Sequence, residues 1–289
     1  MHRPLFLTAL AVRDSAAGHP LVLLDTDLGW WANLAYERAF RRRVVAALGL
    51  PEERLLSCVT HTHSAPPLCE PEPQWPGGEL LSAYLERLEQ AMVATARAAI
   101  AACDPATIEW HHGRSALAAN RDLPDPAAGP RVVCGYNPAN PADDTLAAIR
   151  HTVDLPLKDW PSAAVLAAEF AACTDRPIAE RLRRKLRISE ALGDGATFPL
   201  EIWGWRIGDA LVLGTLAEAY SSIQQNVRAA FPDRAVTWLN LVNGSIGYLP
   251  PAPLYDVEIY QAWQTPFDRG SLETLEAAAI ALGHELLAS

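Results

Sequence analysis

The sequence has little positive charge. Its 24 Lys and Arg residues are outnumbered by 34 Asp and Glu residues, which gives a formal net charge of -10 at pH 7. A protein that binds DNA or RNA needs a basic groove or stripe to neutralise phosphates. The composition therefore excludes nucleic acid as a partner class.

Paired cysteines and long apolar runs are also missing. The number of cysteines is odd and no two form a CxxC pair, which argues against a disulfide framework or a structural zinc knot; the five are Cys58, Cys69, Cys103, Cys134 and Cys173. No apolar run approaches the roughly 20 residues of a membrane-spanning helix, so we expect no transmembrane segment. Residues 4–12 superficially resemble a short signal peptide, but they fit better as a β-hairpin with residues 21–25. The compartment stays open.

Strands and helices alternate along the chain. Helical spacing runs from Asn33 to Leu48 and stops before Gly49, and the apolar run Leu55 to Val59 predicts a strand. Further predicted helices cover residues 79–102, 161–173, 176–192, 221–231 and 271 onward, and further strands cover 107–112, 146–149, 153–157, 198–207, 210–214 and 235–242. We expect a single α/β domain over residues 1–289, with a mixed β-sheet core flanked by helices.

Two histidines directly follow the predicted strand Leu55 to Val59. In the run Thr60-His61-Thr62-His63-Ser64, the imidazoles are one residue apart, and residues i and i+2 share a face if the strand continues. Catalytic and metal-binding groups concentrate where core strands meet loops. The alternative interpretation is a pair of surface histidines.

Other predicted strand ends also carry polar groups. Asp25 and Asp27 follow the second strand of the predicted hairpin and form a secondary site candidate. Glu218 lies at a strand-to-helix junction, where a carboxylate can stabilise a helix N-terminus or bind a metal ion. Tyr248 lies in the segment Asn243 to Pro251, which directly follows the predicted strand 235–242.

Taken in order, these motifs resemble the catalytic domain of the neutral, non-lysosomal ceramidase family. The run Thr60 to Pro66 is similar to that family's Thr-His-Thr-His-Ser-Gly-Pro signature, with alanine in place of glycine. Asn120-Arg121 is similar to its Asn-Arg loop, and Leu216 to Glu218 to its Gly-Glu strand end. The segment Asn243 to Pro250 is similar to its Asn-Gly-x-x-Gly-Tyr-x-Pro motif, and a later tyrosine falls on Tyr260.

The resemblance implies a neutral-ceramidase-like fold, a zinc ion and specific residue roles. His61, Glu218 and Tyr248 correspond to zinc ligands. His63, Arg121 and Tyr260 correspond to residues that line the scissile amide. The implied activity is zinc-dependent hydrolysis of the amide bond of an N-acyl sphingoid or a related N-acyl lipid.

The chain departs from the family in its middle segment. The family's second histidine ligand and a serine element have no evident counterpart between residues 143 and 157, where His151 is the only substitute ligand. A non-catalytic relative with an incomplete metal site, which binds a ligand or is a shortened product, is therefore the main alternative. An amidohydrolase barrel and a metallo-β-lactamase fit poorly, because both need further metal ligands at places where this sequence has none.

The implied partner is a small-molecule N-acyl amide or lipid. Trp30, Trp31 and Trp75 are candidates for the wall of an acyl groove, with ordinary core or surface aromatics as the alternative. The basic face of the helix 176–192 is interpreted as a solvated surface, and peripheral membrane contact through it is the lesser alternative; the face comprises Arg181, Arg183, Arg184, Lys185 and Arg187.

Overall fold

The computed structural model describes residues 4–15, 18–74, 77–108, 110, 145–193 and 195–289. Its first sheet has the order β1-β2-β3, formed by Leu7–Val12, Leu21–Thr26 and Leu55–Val59. β1 and β2 are antiparallel and β2 and β3 are parallel. The predicted hairpin is thus confirmed, and it leads into the strand that delivers the histidines.

The second sheet is also mixed. It has the order β4-β5-β6-β8, formed by Leu146–Pro156, Thr197–Ile207, Ala210–Thr215 and Val236–Leu239. Only the β6–β8 pair is parallel. The two-residue strands β7, Glu218–Ala219, and β9, Tyr248–Leu249, form a third, parallel pair. The expectation of an α/β fold with mixed sheets is confirmed.

Helices cover these sheets. They are α1 (Leu34–Leu48), α2 (Leu81–Ala101), α3 (Ala163–Ala172), α4 (Arg176–Leu192), α5 (Ser222–Ala230), α6 (Tyr260–Gln264) and α7 (Ser271–Ala288), and short 3-10 turns lie at Glu52–Arg54, Gly78–Leu80 and Ala252–Asp256. One apolar cluster joins the first sheet to α1 and α2, and a larger one joins the second sheet to α5 and α7. Burial of these faces drives the packing.

The bounds of α1 follow from its caps. Asn33 Oδ1 accepts a hydrogen bond from the Tyr36 amide at 2.9 Å, and Gly49 takes the left-handed conformation (φ 66) that ends many helices. Asparagine and glycine at these two positions explain why the sequence predicted this helix correctly.

Several strand predictions are wrong in their bounds, and one expected strand is not found among the described residues. The strands expected at 146–149 and 153–157 are one strand, because β4 pairs without interruption with β5 from Leu146 to Pro156. Among the described strands β4 lies at the edge of its sheet, and its middle residues Arg150 and His151 are exposed. The strand expected at 235–242 is confined to Val236–Leu239, and of the strand expected at 107–112 the described residues 107, 108 and 110 form none.

The sequence predicted neither a disulfide framework nor a transmembrane segment. Cys58, Cys69, Cys103 and Cys173 are free thiols, and Cys134 lies outside the described residues. Among the described helices, none combines the length and the apolar character that a membrane crossing requires.

Candidate functional site

His61 and His63 lie side by side just beyond β3. The strand ends at Val59, and His61 has a left-handed backbone (φ 59), so the strand does not continue through the pair. The two rings are nevertheless stacked, with centroids 5.2 Å apart and an interplanar angle of 7°. Trp30 packs against both rings at centroid distances of 5.5 and 5.1 Å. The tight turn and the indole, rather than strand alternation, orient both imidazoles together.

The β7–β9 pair places Glu218 and Tyr248 next to each other. They are direct partners in its parallel register, and the Glu218 amide donates to Gly247 O at 2.9 Å. Partners in neighbouring strands are about 5 Å apart and project to the same face. Gly247 has φ 112, a conformation that L side chains rarely adopt, which explains glycine before this tyrosine.

Asn243 fastens the loop that carries Tyr248 to the strand that carries the histidines. Its side chain is fully buried, accepts a hydrogen bond from the Ser57 amide at 2.8 Å and donates one to Leu55 O at 3.1 Å. Its own amide donates to Ser57 O at 2.9 Å. Asn243 therefore pairs with β3 like a short strand and joins the two halves of the site.

The two halves meet at His61 and Glu218. His61 Nδ1 is 3.4 Å from Glu218 Oε2, and the two side chains are 27% and 22% exposed. Burial raises the pKa of the Glu218 carboxyl to about 7. Burial also lowers the pKa of His61, and the charges of His63 and Arg184 lower it further.

Tyr260, the first residue of α6, lies at the edge of the same cavity. Its ring meets that of Tyr248 edge-on at a centroid distance of 5.8 Å, and it is 41% exposed. The cavity holds about 330 Å³, and its polar lining includes His61, His63, Glu218, Tyr248, Tyr260, Arg184 and Arg187. Five of the six residues proposed from the sequence thus line one cavity.

The sixth, Arg121, lies outside the described residues, as do Asn120 and Trp75. Trp30 and Trp31 do line the cavity. The substitute ligand His151 does not: it lies on β4, and its Nε2 is 3.3 Å from Glu285 Oε2 on α7. Asp25 and Asp27 do not line the cavity either, and Asp27 Oδ2 accepts a hydrogen bond from the Phe6 amide at 3.0 Å.

Helix α4 covers the cavity. The position of this helix over the site was not predicted from the sequence. The spacing of Arg184, Arg187, Ile188 and Ala191 places them on one face of the helix, and all four line the cavity. The interpretation of the basic face as solvated is wrong for part of it, since Arg187 is only 16% exposed and bonds Glu72 at 2.9 Å. The helical spacing of these four residues was the available signal.

Lys185, on the same basic face of α4, is also not simply solvated. Its Nζ lies 4.0 Å from the ring centroid of Trp263 and 5.4 Å from that of Trp160. Partial burial lowers its pKa. This lysine therefore packs on aromatic rings beside the cavity.

The geometry of His61 and Glu218 fits a zinc ion. Two ligand atoms about 2 Å from a tetrahedral zinc ion are about 3.3 Å apart, close to the 3.4 Å between His61 Nδ1 and Glu218 Oε2. A bound cation would also stabilise the carboxylate form of Glu218. Within the described ranges no three His, Cys, Asp or Glu side chains cluster for a metal ion, so Tyr248 is the candidate third ligand.

Comparisons with known proteins identify the fold. No protein-family profile and no curated protein sequence matches the chain. Solved structures do match, and two of them are a ceramidase described as complexed with C2, at a TM-score of 0.66 and 14% identity, and the neutral ceramidase from Pseudomonas aeruginosa, at a TM-score of 0.65 and 16% identity. The matches cover 98% and 99% of this chain and 70% of each of those chains. The chain has a neutral-ceramidase-like fold. At this level of identity the likeness shows the fold alone.

Proposed function

We propose that the chain is a zinc-dependent amidase that hydrolyses the amide bond of an N-acyl sphingoid or a related N-acyl lipid. The observation that carries the proposal is that His61, Glu218 and Tyr248 line one cavity with His63 and Tyr260, within a ceramidase-like fold. His61 contacts Glu218, and Glu218 is paired with Tyr248 between β7 and β9.

His61, Glu218 and Tyr248 would hold the zinc ion. Three protein ligands with one open position are typical of catalytic rather than structural zinc sites. When bound, the ion would polarise the substrate carbonyl and make water acidic enough to attack it near neutral pH.

The remaining residues would handle the substrate. The imidazole of His63 accepts a proton from the attacking water and passes it to the amine nitrogen as the carbon–nitrogen bond breaks. The hydroxyl of Tyr260 donates to the oxygen that gains negative charge. Arg121 is a second proposed donor, from outside the described residues.

A second cavity supports a lipid substrate. It holds about 660 Å³, shares Arg187 with the first, and has apolar walls formed in part by Pro66, Leu81, Tyr84 and Phe170. A cavity of this size has room for an acyl chain. These residues are candidates for that role in addition to Trp30 and Trp31, which line the first cavity.

The alternative is a ligand-binding protein with a disabled site. One observation favours it: His151, the substitute ligand expected between residues 143 and 157, lies on β4 against α7 and does not line the cavity.

Hydrolysis assays with matched variants separate these alternatives. Release of fatty acid from N-octanoylsphingosine and from simple N-octanoyl amides is measured for the wild type, His61→Ala and His151→Ala. Activity in the wild type and His151→Ala but not in His61→Ala supports the enzyme. Zinc binding by the wild type with no release from any of these amides would favour the ligand-binding alternative.

A further inference from the structure

Arg184 and the histidine pair contact the same indole ring, that of Trp30. Arg184 Cζ lies 4.8 Å from the centroid of Trp30, the indole that packs against His61 and His63. Arg184 lines the same cavity. The stack on Trp30 holds the guanidinium beside the place where the amide would bind.

In the part of the chain that the structure describes, the end of this guanidinium is available to a ligand. Arg184 Nε donates to Glu180 Oε1 at 3.3 Å, but Glu180 makes its shorter bond, 2.7 Å, with Arg183. Across the described ranges, Arg184 Nη1 and Nη2 have no hydrogen-bond partner. Arg187 differs, because its Nη2 is bonded to Glu72 at 2.9 Å.

Among the described residues, the carboxylates around the cavity leave Arg184 Nη1 and Nη2 to an external anion. Glu218 faces His61, and Glu72 is bonded to Arg187. Two parallel donors of a guanidinium match the two oxygens of a carboxylate or phosphate. A neutral sphingoid amide offers no such group.

We propose that the cavity selects amides that carry an anionic group, with a carboxylate as in an N-acyl amino acid, and that Arg184 binds this group. The inference rests on the proposed amidase function, whose substrate class it narrows. Arg184 acts here as a specificity-determining residue. A phosphate, as in an N-acyl sphingosine phosphate, offers the same anionic chemistry and is a separate arm of the test.

The test compares three substrates with one acyl chain. N-octanoylglycine carries a carboxylate, N-octanoylsphingosine 1-phosphate carries a phosphate, and N-octanoylethanolamine is neutral. Binding to the full chain is measured by calorimetry and turnover by release of octanoate. The variants are Arg184→Gln and Arg184→Lys. Lysine keeps the positive charge but lacks the two parallel donors of the guanidinium. Arg181→Gln is the control, at an exposed position of the same helix.

A charge-assisted hydrogen bond predicts an about 10- to 100-fold loss of affinity and of kcat/KM for the anionic substrate in Arg184→Gln. The loss for N-octanoylethanolamine should be smaller than about 3-fold, Arg184→Lys should be intermediate, and Arg181→Gln should match the wild type. A preference for the phosphate supports the same subsite with phosphate as its anion. Thermal unfolding of each variant checks that it is folded.

Failure of the inference and failure of the amidase function give different results. Turnover of the neutral amide with no preference for either anion, or equal losses for all three substrates in Arg184→Gln, overturns the inference and leaves the amidase standing. Binding of an anionic amide that depends on Arg184, without any turnover, supports the inference and contradicts the amidase. If neither anionic amide binds the wild type, the inference is wrong.

Discussion

Asn243→Ala tests whether the asparagine that joins the two halves of the site also holds the fold together. The substitution removes the acceptor for the Ser57 amide and the donor to Leu55 O, both on the buried strand β3. A buried backbone group left without a partner costs about 1–3 kcal/mol. Alanine in the left-handed conformation that Asn243 has (φ 53) costs about 1 kcal/mol more.

The expected loss is therefore about 3–7 kcal/mol of the free energy of unfolding. A typical domain has about 5–15 kcal/mol in total, so the variant should be close to unfolding at 25 °C. Urea unfolding followed by tryptophan fluorescence measures this loss. Asn243→Gly, which removes the same two hydrogen bonds but suits the backbone, should recover about 1 kcal/mol.

Asn226→Ala is the matched control, because Asn226 makes its hydrogen bond, at 2.7 Å to Glu276, on the surface. It should change stability by less than about 0.5 kcal/mol. If Asn243→Ala and Asn226→Ala have the same stability, the argument that Asn243 joins the two halves is wrong.

Three further predictions concern a buried acid, a tight glycine and a proposed donor. Burial raises the pKa of Glu37 from 4.5 to about 7 in the folded protein, so the stability of the wild type relative to Glu37→Gln should fall as pH rises from 4.5 to 7 and stay constant above 7; urea unfolding at several pH values measures it. Gly204→Ala should lower the unfolding free energy by about 1–3 kcal/mol, because its new Cβ would lie 2.6 Å from Leu286 Cδ1, and an unchanged urea midpoint would contradict this. Tyr260→Phe should lower kcat by about 100-fold with little change in KM, and unchanged steady-state kinetics would remove Tyr260 from the mechanism.

Local signals explain which elements the sequence predicted well. Asn33 and Gly49 cap α1, and each makes its capping hydrogen bond with a residue only a few positions away in the chain. The two residues Gly208 and Asp209 between the predicted strands 198–207 and 210–214 form the turn of the antiparallel β5–β6 pair, which is again a local feature. These features depend on short-range geometry, which residue types determine directly.

Features that depend on distant pairing were not predictable from residue patterns. Glu218 and Tyr248 are 30 residues apart in the chain, and only the two-residue β7–β9 pair brings them together. Pattern reasoning marked both as polar strand ends, and only the family resemblance placed them in one site. The position of Arg184 over Trp30 likewise depends on how α4 packs, which the charge pattern of the helix does not specify.

The most direct test of the proposed site is an anomalous difference map at the zinc absorption edge, from crystals of the protein grown with zinc. The proposal predicts one peak about 2.0–2.2 Å from His61 Nδ1, Glu218 Oε2 and the Tyr248 hydroxyl oxygen. Crystals of Glu218→Gln should lose most of that peak. A map without a peak between these three side chains, or with zinc bound elsewhere only, would contradict the zinc site and the mechanism built on it.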